Sequence, residues 1–172
     1  MATSKRRSCL ARRELDPLDA RAARAAALDA LGRRDHASED LRRKLLDKGY
    51  DGAVVSPLVE ALRAEKLLDD RRYTENFVAY HAARGQGPLR IRAELRGHGL
   101  QGELPEECLA SFPDWLSQLR RARQKKFGAD PPRSAADRQR QSRFLGYRGF
   151  TSAQIRTALG FDIDIDSDTD QT

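Results

Sequence analysis

Three histidines, two cysteines and one adjacent pair of aspartates are the side chains of this chain whose types could move protons, attack a carbonyl or hold a metal. None stands in the spacing such chemistry needs. His36 falls in the turn before Ser38, His81 on an otherwise apolar helical stripe and His98 beside a glycine expected to end a helix. Each reads as a structural or surface histidine, and His98 is placed to interact favourably with the negative end of its helix. Asp69 and Asp70 would point about 100° apart on a helix, with no third hard ligand nearby in sequence, so N-capping explains them better than metal binding. Cys9 and Cys108 lie far apart and make no disulfide framework, which fits a reducing cytoplasm. The phosphate-binding, dinucleotide-binding, zinc-protease and paired-cysteine motifs are all missing from the sequence. The expectation is a protein that is not an enzyme and uses neither cofactor nor metal.

Basic side chains are the remaining chemistry, and their distribution is uneven. The net charge of +6 hides a segment, residues 116–161, with eleven bases against two acids, and a final stretch, 162–172, with five Asp and no base. Arg90, Arg92 and Arg96 recur at helical spacing in one segment, and Arg140, Arg143 and Arg148 in another. Arg120, Arg121, Arg123, Lys125 and Lys126 crowd a third. Such density suits nucleic acid or an acidic protein surface, and its plain alternative is a solvated helical face. Exposed aromatic platforms are scarce: Phe77, Phe127 and Phe150 fall at expected core positions, leaving Tyr147 and Trp115 as possible exceptions. Direct DNA binding would then be driven by phosphate contacts, weakly sequence-specific and strongly salt-dependent. No helix pair shows the polar reading head of a helix-turn-helix repressor.

The elements that must position these groups follow a fifty-residue period. Leu45/Gly49/Tyr50, Leu95/Gly99/Leu100 and Leu145/Gly149/Phe150 repeat one Leu-x-x-x-Gly-apolar pattern. Ala27, Phe77 and Phe127 precede the three glycines by one constant interval, and Val59, Leu109 and Leu159 come after them by another. Each unit reads as three helices, its middle helix ended by the left-handed glycine. Ser38 is the expected N-cap of the first middle helix, Pro88 opens the second in its first turn, and the third runs from about Ala135 to Arg148. Asp70 is expected to cap a helix whose stripe is Tyr73, Phe77, Tyr80 and His81; Asp114 caps its third-unit counterpart, with Leu119, Ala122 and Phe127 inward. Thr151 to Gln154 is a capping box. Pro57 would break a helix begun at Asp51, so a start at Ser56 is preferred.

These elements make an all-α fold, an elongated curved array of three tandem three-helix repeats over 20–68, 69–113 and 114–161. A basic arm, 1–19, and an acidic tail, 162–172, are both expected to be disordered. With 34% charged and 39% hydrophobic residues, the apolar material suffices for thin stripes rather than for a thick core with a deep catalytic cleft. No apolar run is long enough to span a bilayer, and the positive N-terminal cluster has no apolar stretch behind it. A soluble, cytoplasmic protein is expected. The tail, by its opposite charge and adjacency, is a candidate intramolecular competitor for the basic face, against the alternative of a solubilising end.

Three ordered blocks resemble the RecX regulatory proteins of bacteria. Leu67-Leu-Asp-Asp-Arg-Arg-Tyr-Thr-Glu-Asn-Phe-Val78 is similar to that family's LDDxRYAxxFV signature, with Thr74 where Ala is usual. Gly87-Pro-Leu-Arg-Ile-Arg-Ala-Glu-Leu-Arg-Gly-His-Gly99 comes next, and then Arg143-Phe-Leu-Gly-Tyr-Arg-Gly-Phe150. The resemblance covers about residues 20–161 and implies the same curved array of three-helix repeats. It also implies a protein that lies in the groove of the RecA filament on single-stranded DNA and limits filament extension, strand exchange and ATP hydrolysis, with no catalytic residues; a monomer is expected. A stand-alone, sequence-nonspecific nucleic-acid-binding module is the alternative that charge alone supports.

Overall fold

The computed structural model describes residues 15–160, so the acidic tail and most of the basic arm lie outside the described residues. Those residues form nine helices and no strand: α1 (Ala20–Arg33), α2 (Ser38–Asp47), α3 (Gly52–Ala64), α4 (Asp70–Ala83), α5 (Pro88–Gly97), α6 (Glu103–Ser111), α7 (Trp115–Phe127), α8 (Ala135–Tyr147) and α9 (Ser152–Leu159). Helices pack in consecutive threes, and the array continues from one unit to the next, with α4 against α7. Each unit has its own core. Ala23, Ala27, Leu41, Leu45, Val55, Val59 and Leu62 are among the buried side chains of the first. Val78, Ala82, Ile91, Leu95, Cys108 and Leu109 are among those of the second. The third is thinnest, with Leu119, Leu145, Phe150 and Ile155.

Several ends form as the sequence dictates. Gly49, Gly99 and Gly149 take positive φ at 99°, 79° and 87°, a conformation that costs glycine nothing. Pro88 opens α5, Asp114 accepts from Ser117 N, and Thr151 and Gln154 close a reciprocal box at α9. The hydrogen bonds from Ser117 hold the Asp114 carboxyl below its usual range.

Other ends differ, for reasons that lie beyond local sequence. Ser38 does not cap α2; Ala37 holds that position without a side-chain bond. The donor at Ser38 N is satisfied instead by Asp70 Oδ1 at 2.8 Å, from the second unit. Asp69, not Asp70, caps α4, accepting from Arg72 N at 2.9 Å. The adjacent aspartates therefore terminate two helices in two units. Replacing either by Ala should cost about 1 kcal/mol. In Asp70→Ala, amide exchange should accelerate at Ser38, and in Asp69→Ala at Arg72; equal acceleration at both sites would refute the division of labour.

The buried face of α4 is Thr74, Val78 and Ala82, not the aromatic stripe. Tyr73, Phe77 and His81 flank it half-buried, and Tyr80 is 58% exposed. Small residues win that face because α6 packs against α4; Thr74 is fully buried and satisfies its hydroxyl on the Asp70 carbonyl at 2.6 Å. Helix α3 also runs through Pro57 instead of starting at Ser56. Pro57 and Ala53 are both exposed, so the carbonyl deprived of its partner is open to water. Phe127 is half-buried rather than a core residue, edge-on to Phe144 with centroids 5.3 Å apart. Trp115 is no surface platform, since it packs into the core and donates from Nε1 to Leu109 O at 3.0 Å.

The two junctions between units share one design: the glycine turn after a middle helix seats on the start of the preceding unit's middle helix. Gly99 lies so close to Glu39 that a Cβ would come 2.5 Å from its side chain. Around it, Arg43 donates to Gly97 O at 2.8 Å and His98 Nδ1 meets Asp40 Oδ2 at 2.5 Å. At the second junction Gly87 N donates to Arg148 O at 2.7 Å and Leu89 N to Gly149 O at 2.9 Å. A Cβ on Gly87 would collide with the backbone of Gly149 and Phe150, and one on Gly149 with Arg90. Among the described residues no unit precedes the first. There the Leu15 side chain covers Gly49, and Asp51 N donates to Pro17 O at 2.9 Å.

Candidate functional site

The structure separates the eleven candidate bases by what each already holds. Arg90 Nε lies 2.9 Å from Glu94 Oε1, and Arg92 Nε 2.6 Å from Glu106 Oε1. Arg123 bonds Gln141 Oε1 at 2.9 Å and the Asp130 carbonyl, bracing the loop before α8. Arg148 donates to the Arg84 carbonyl at 3.3 Å across the second junction and lies 5.2 Å from the Phe144 ring centre. Arg140 pairs with Asp137 at 3.1 Å and sits 5.5 Å from the centre of the Phe127 ring. Arg120 and Arg121 are exposed near Asp114, whose carboxyl they help hold ionised. Arg96, Lys125, Lys126 and Arg143 are exposed with no ion-pair or hydrogen-bond partner among the described residues.

Two adjoining clefts gather part of this set. Arg84, Ala122, Lys125, Lys126, Phe144 and Arg148 line one of about 220 Å³ at the second junction. Ala136, Gln139, Arg140, Arg143, Phe144 and Tyr147 line a wider one of about 470 Å³ along α8. Phe144 is the shared wall. The result is a surface with cations on both sides of an aromatic floor, on which Tyr147 stands 78% exposed. Arginine above aromatic rings keeps its charge available while its stem covers apolar surface. Arg90, Arg92, Arg96, Arg120, Arg121 and Arg123 line neither cleft.

Sequence reasoning missed Arg84 and Phe144. Arg84 ends α4 above Tyr80, 5.3 Å from the ring centre, and reaches this surface only because the third unit docks beside it. Its place immediately before the Gly85–Gly87 turn was the available signal.

The histidines are engaged structurally. His36 is buried, and burial followed by the nearby Lys44 and Arg34 charges lowers its pKa. His81 stacks on Phe77 and bonds Gln86 Oε1 at 2.6 Å. Burial raises the pKa of the Cys108 thiol, away from the thiolate that reactivity needs. Among the described residues no group of three His, Cys, Asp or Glu side chains is placed to hold a metal ion, and no helix is long and apolar enough to cross a membrane.

Comparison with known proteins agrees with the repeat. The family models for the first, second and third three-helix domains of RecX match residues 23–62, 69–109 and 114–159. Regulatory protein RecX of Halorhodospira halophila is 44% identical over 80% of this chain and 86% of its own length. That of Ectopseudomonas mendocina is 42% identical over 80% and 93%. The crystal structure of RecX from Lactobacillus salivarius superposes with a TM-score of 0.73 at 20% identity, covering 83% of this chain and 95% of that one. A second crystal structure, of regulatory protein RecX, gives 0.71 at 22%, covering 82% and 72%. Those two share the fold; the three matched domains in order, and the identity to relatives over most of their length, show that this chain belongs to the RecX family of regulatory proteins.

Proposed function

We propose that this protein regulates the RecA recombinase as a monomer, lying along the groove of the RecA filament on single-stranded DNA and limiting filament extension, strand exchange and ATP hydrolysis. Such a partner places it in the cytoplasm. The observation that carries the reading is the cationic, aromatic-floored surface shared by the second and third units of the array. Lys125, Lys126 and Arg143 have charges uncommitted to internal partners among the described residues, so desolvating them breaks no existing pair. Arg84 and Arg148 are held over the Tyr80 and Phe144 rings, and Arg140 by the Phe127 ring and the Asp137 carboxylate, which preorganises them for a repeating anionic partner.

Adding the purified protein to RecA on single-stranded DNA should suppress ATP hydrolysis at stoichiometries near or below that of RecA. Full hydrolysis at equimolar protein would reject the proposal. Where the protein instead binds naked strand in preference to the RecA-coated strand, it is a stand-alone nucleic-acid-binding module.

A further inference from the structure

We propose that the acidic tail occupies the α8 cleft of the third unit, in the position a fourth repeat would take. The fifty-residue register makes the case. Asp40 and Arg43 of α2 receive the turn of the second unit, at His98 and Gly97. Arg90, fifty residues after Asp40, lies against the Gly149 turn of the third. The next positions in that register are Arg140 and Arg143 of α8. They line the open cleft with Ala136, Gln139, Phe144 and Tyr147. After Gly160, which ends α9, the sequence reads Phe161-Asp-Ile-Asp-Ile-Asp-Ser-Asp-Thr-Asp170.

The opposite end of the array sets the precedent. There the position a preceding unit would fill is taken by the flanking segment, with Leu15 on Gly49 and Pro17 bonded to Asp51. Terminal units of repeat arrays need such covering, because an interface built for a neighbour is left facing water.

Chemistry and reach both fit. In an extended segment, Phe161, Ile163 and Ile165 fall on one side and Asp162, Asp164 and Asp166 on the other. The cleft offers the matching pair of surfaces, Phe144 and Tyr147 for the apolar side chains and, for the carboxylates, Arg143 together with Arg140, which shares its guanidinium with Asp137. Helix α9 packs on both α7 and α8, and Gly160 ends it in a left-handed conformation that redirects the chain. From there twelve residues extend up to roughly 40 Å, about twice the length of a thirteen-residue helix at 1.5 Å per residue. The cleft over Arg34, His36 and Asp40 in the first unit also carries Arg43, Lys44 and Lys48, but it is a poorer fit because its lining has no apolar side chain to receive Phe161, Ile163 and Ile165.

If the proposed filament-binding role also holds, the tail competes for that surface. The docking itself depends on neither RecA nor DNA, so its test is separate. A spin label at Ser167→Cys in a full-length Cys9→Ser chain should broaden the amide signals of residues 136–147 at low salt. Broadening should fade at high salt, and it should be lost on Arg143→Glu, an exposed position with no internal partner to disturb among the described residues. Changing all five tail aspartates to Asn gives a second arm that leaves the helical units untouched, and it too should abolish the broadening. Mixing spin-labelled chains with isotope-labelled, spin-free chains should give none. Uniform or absent broadening, or broadening that survives both charge changes, overturns the proposal. Broadening seen only in the mixture overturns it in favour of head-to-tail pairing between copies.

Discussion

Gly87→Ala is expected to detach the third unit from the second while leaving both cores intact. The φ at Gly87 is −91°, which any residue adopts, so the substitution carries no backbone strain of its own. Its whole effect is the methyl group aimed at the Gly149 carbonyl and Phe150 amide, where neither side is a flexible side chain that could move away. Overpacking of this kind costs about 1–3 kcal/mol. Separation also gives up the bonds from Gly87 N to Arg148 O and from Leu89 N to Gly149 O, at about 1 kcal/mol each. Chemical denaturation should change from one transition to two, the earlier belonging to the third unit with its four buried side chains. Amide exchange at Leu89 should accelerate while that at Ile91 and Leu95 in the core of α5 stays slow. A single unshifted transition would show that the junction tolerates the methyl. The cleft formed by Arg84 with Lys125, Lys126 and Arg148 should open with the junction, so RecA inhibition should weaken although no cation has been removed.

The triple change of Lys125, Lys126 and Arg143 to Ala is the converse, removing charge without touching structure. All three are exposed and hold no internal partner among the described residues, so stability should stay within about 0.5 kcal/mol of the parent. Affinity for single-stranded DNA, alone or in the filament, should fall tenfold or more at low salt. The slope of log affinity against log salt should flatten by about 0.7 for each phosphate no longer neutralised, or roughly 2 when all three cations meet phosphate. An affinity loss with an unchanged slope would mean that these groups meet acidic protein side chains rather than phosphate. No loss would remove them from the surface.

Short-range chemistry was legible in the sequence. Gly149 must be left-handed to turn the chain, Pro88 can open a helix because its first-turn N–H is dispensable, and the Thr151–Gln154 box closes within four residues. The fifty-residue period then ordered the helices into units. Long-range partners were illegible. Nothing near Ser38 says that its amide is satisfied by Asp70. Arg92 cannot be told from Arg96 by spacing, yet Glu106 from another helix engages only the first. The α4 face was misread because large aromatic residues outweigh Thr74, Val78 and Ala82 in any hydrophobic pattern, whereas close packing on α6 favours the small ones. For the binding surface, the bases of α7 and α8 stood out by density, but Arg84 belongs to it only through docking between units.

The amide of Ser38, completed by Asp70, and those of Gly87 and Leu89, completed by residues 148 and 149, set an order of events during synthesis. Each donor belongs to an earlier unit and each acceptor to a later one. A chain emerging from the ribosome therefore carries, until the next unit arrives, a bundle whose middle helix still lacks a partner for its first turn. These cross-unit bonds can close only unit by unit toward the C-terminus, and a chain stopped between units keeps open the donors that the next unit would have filled.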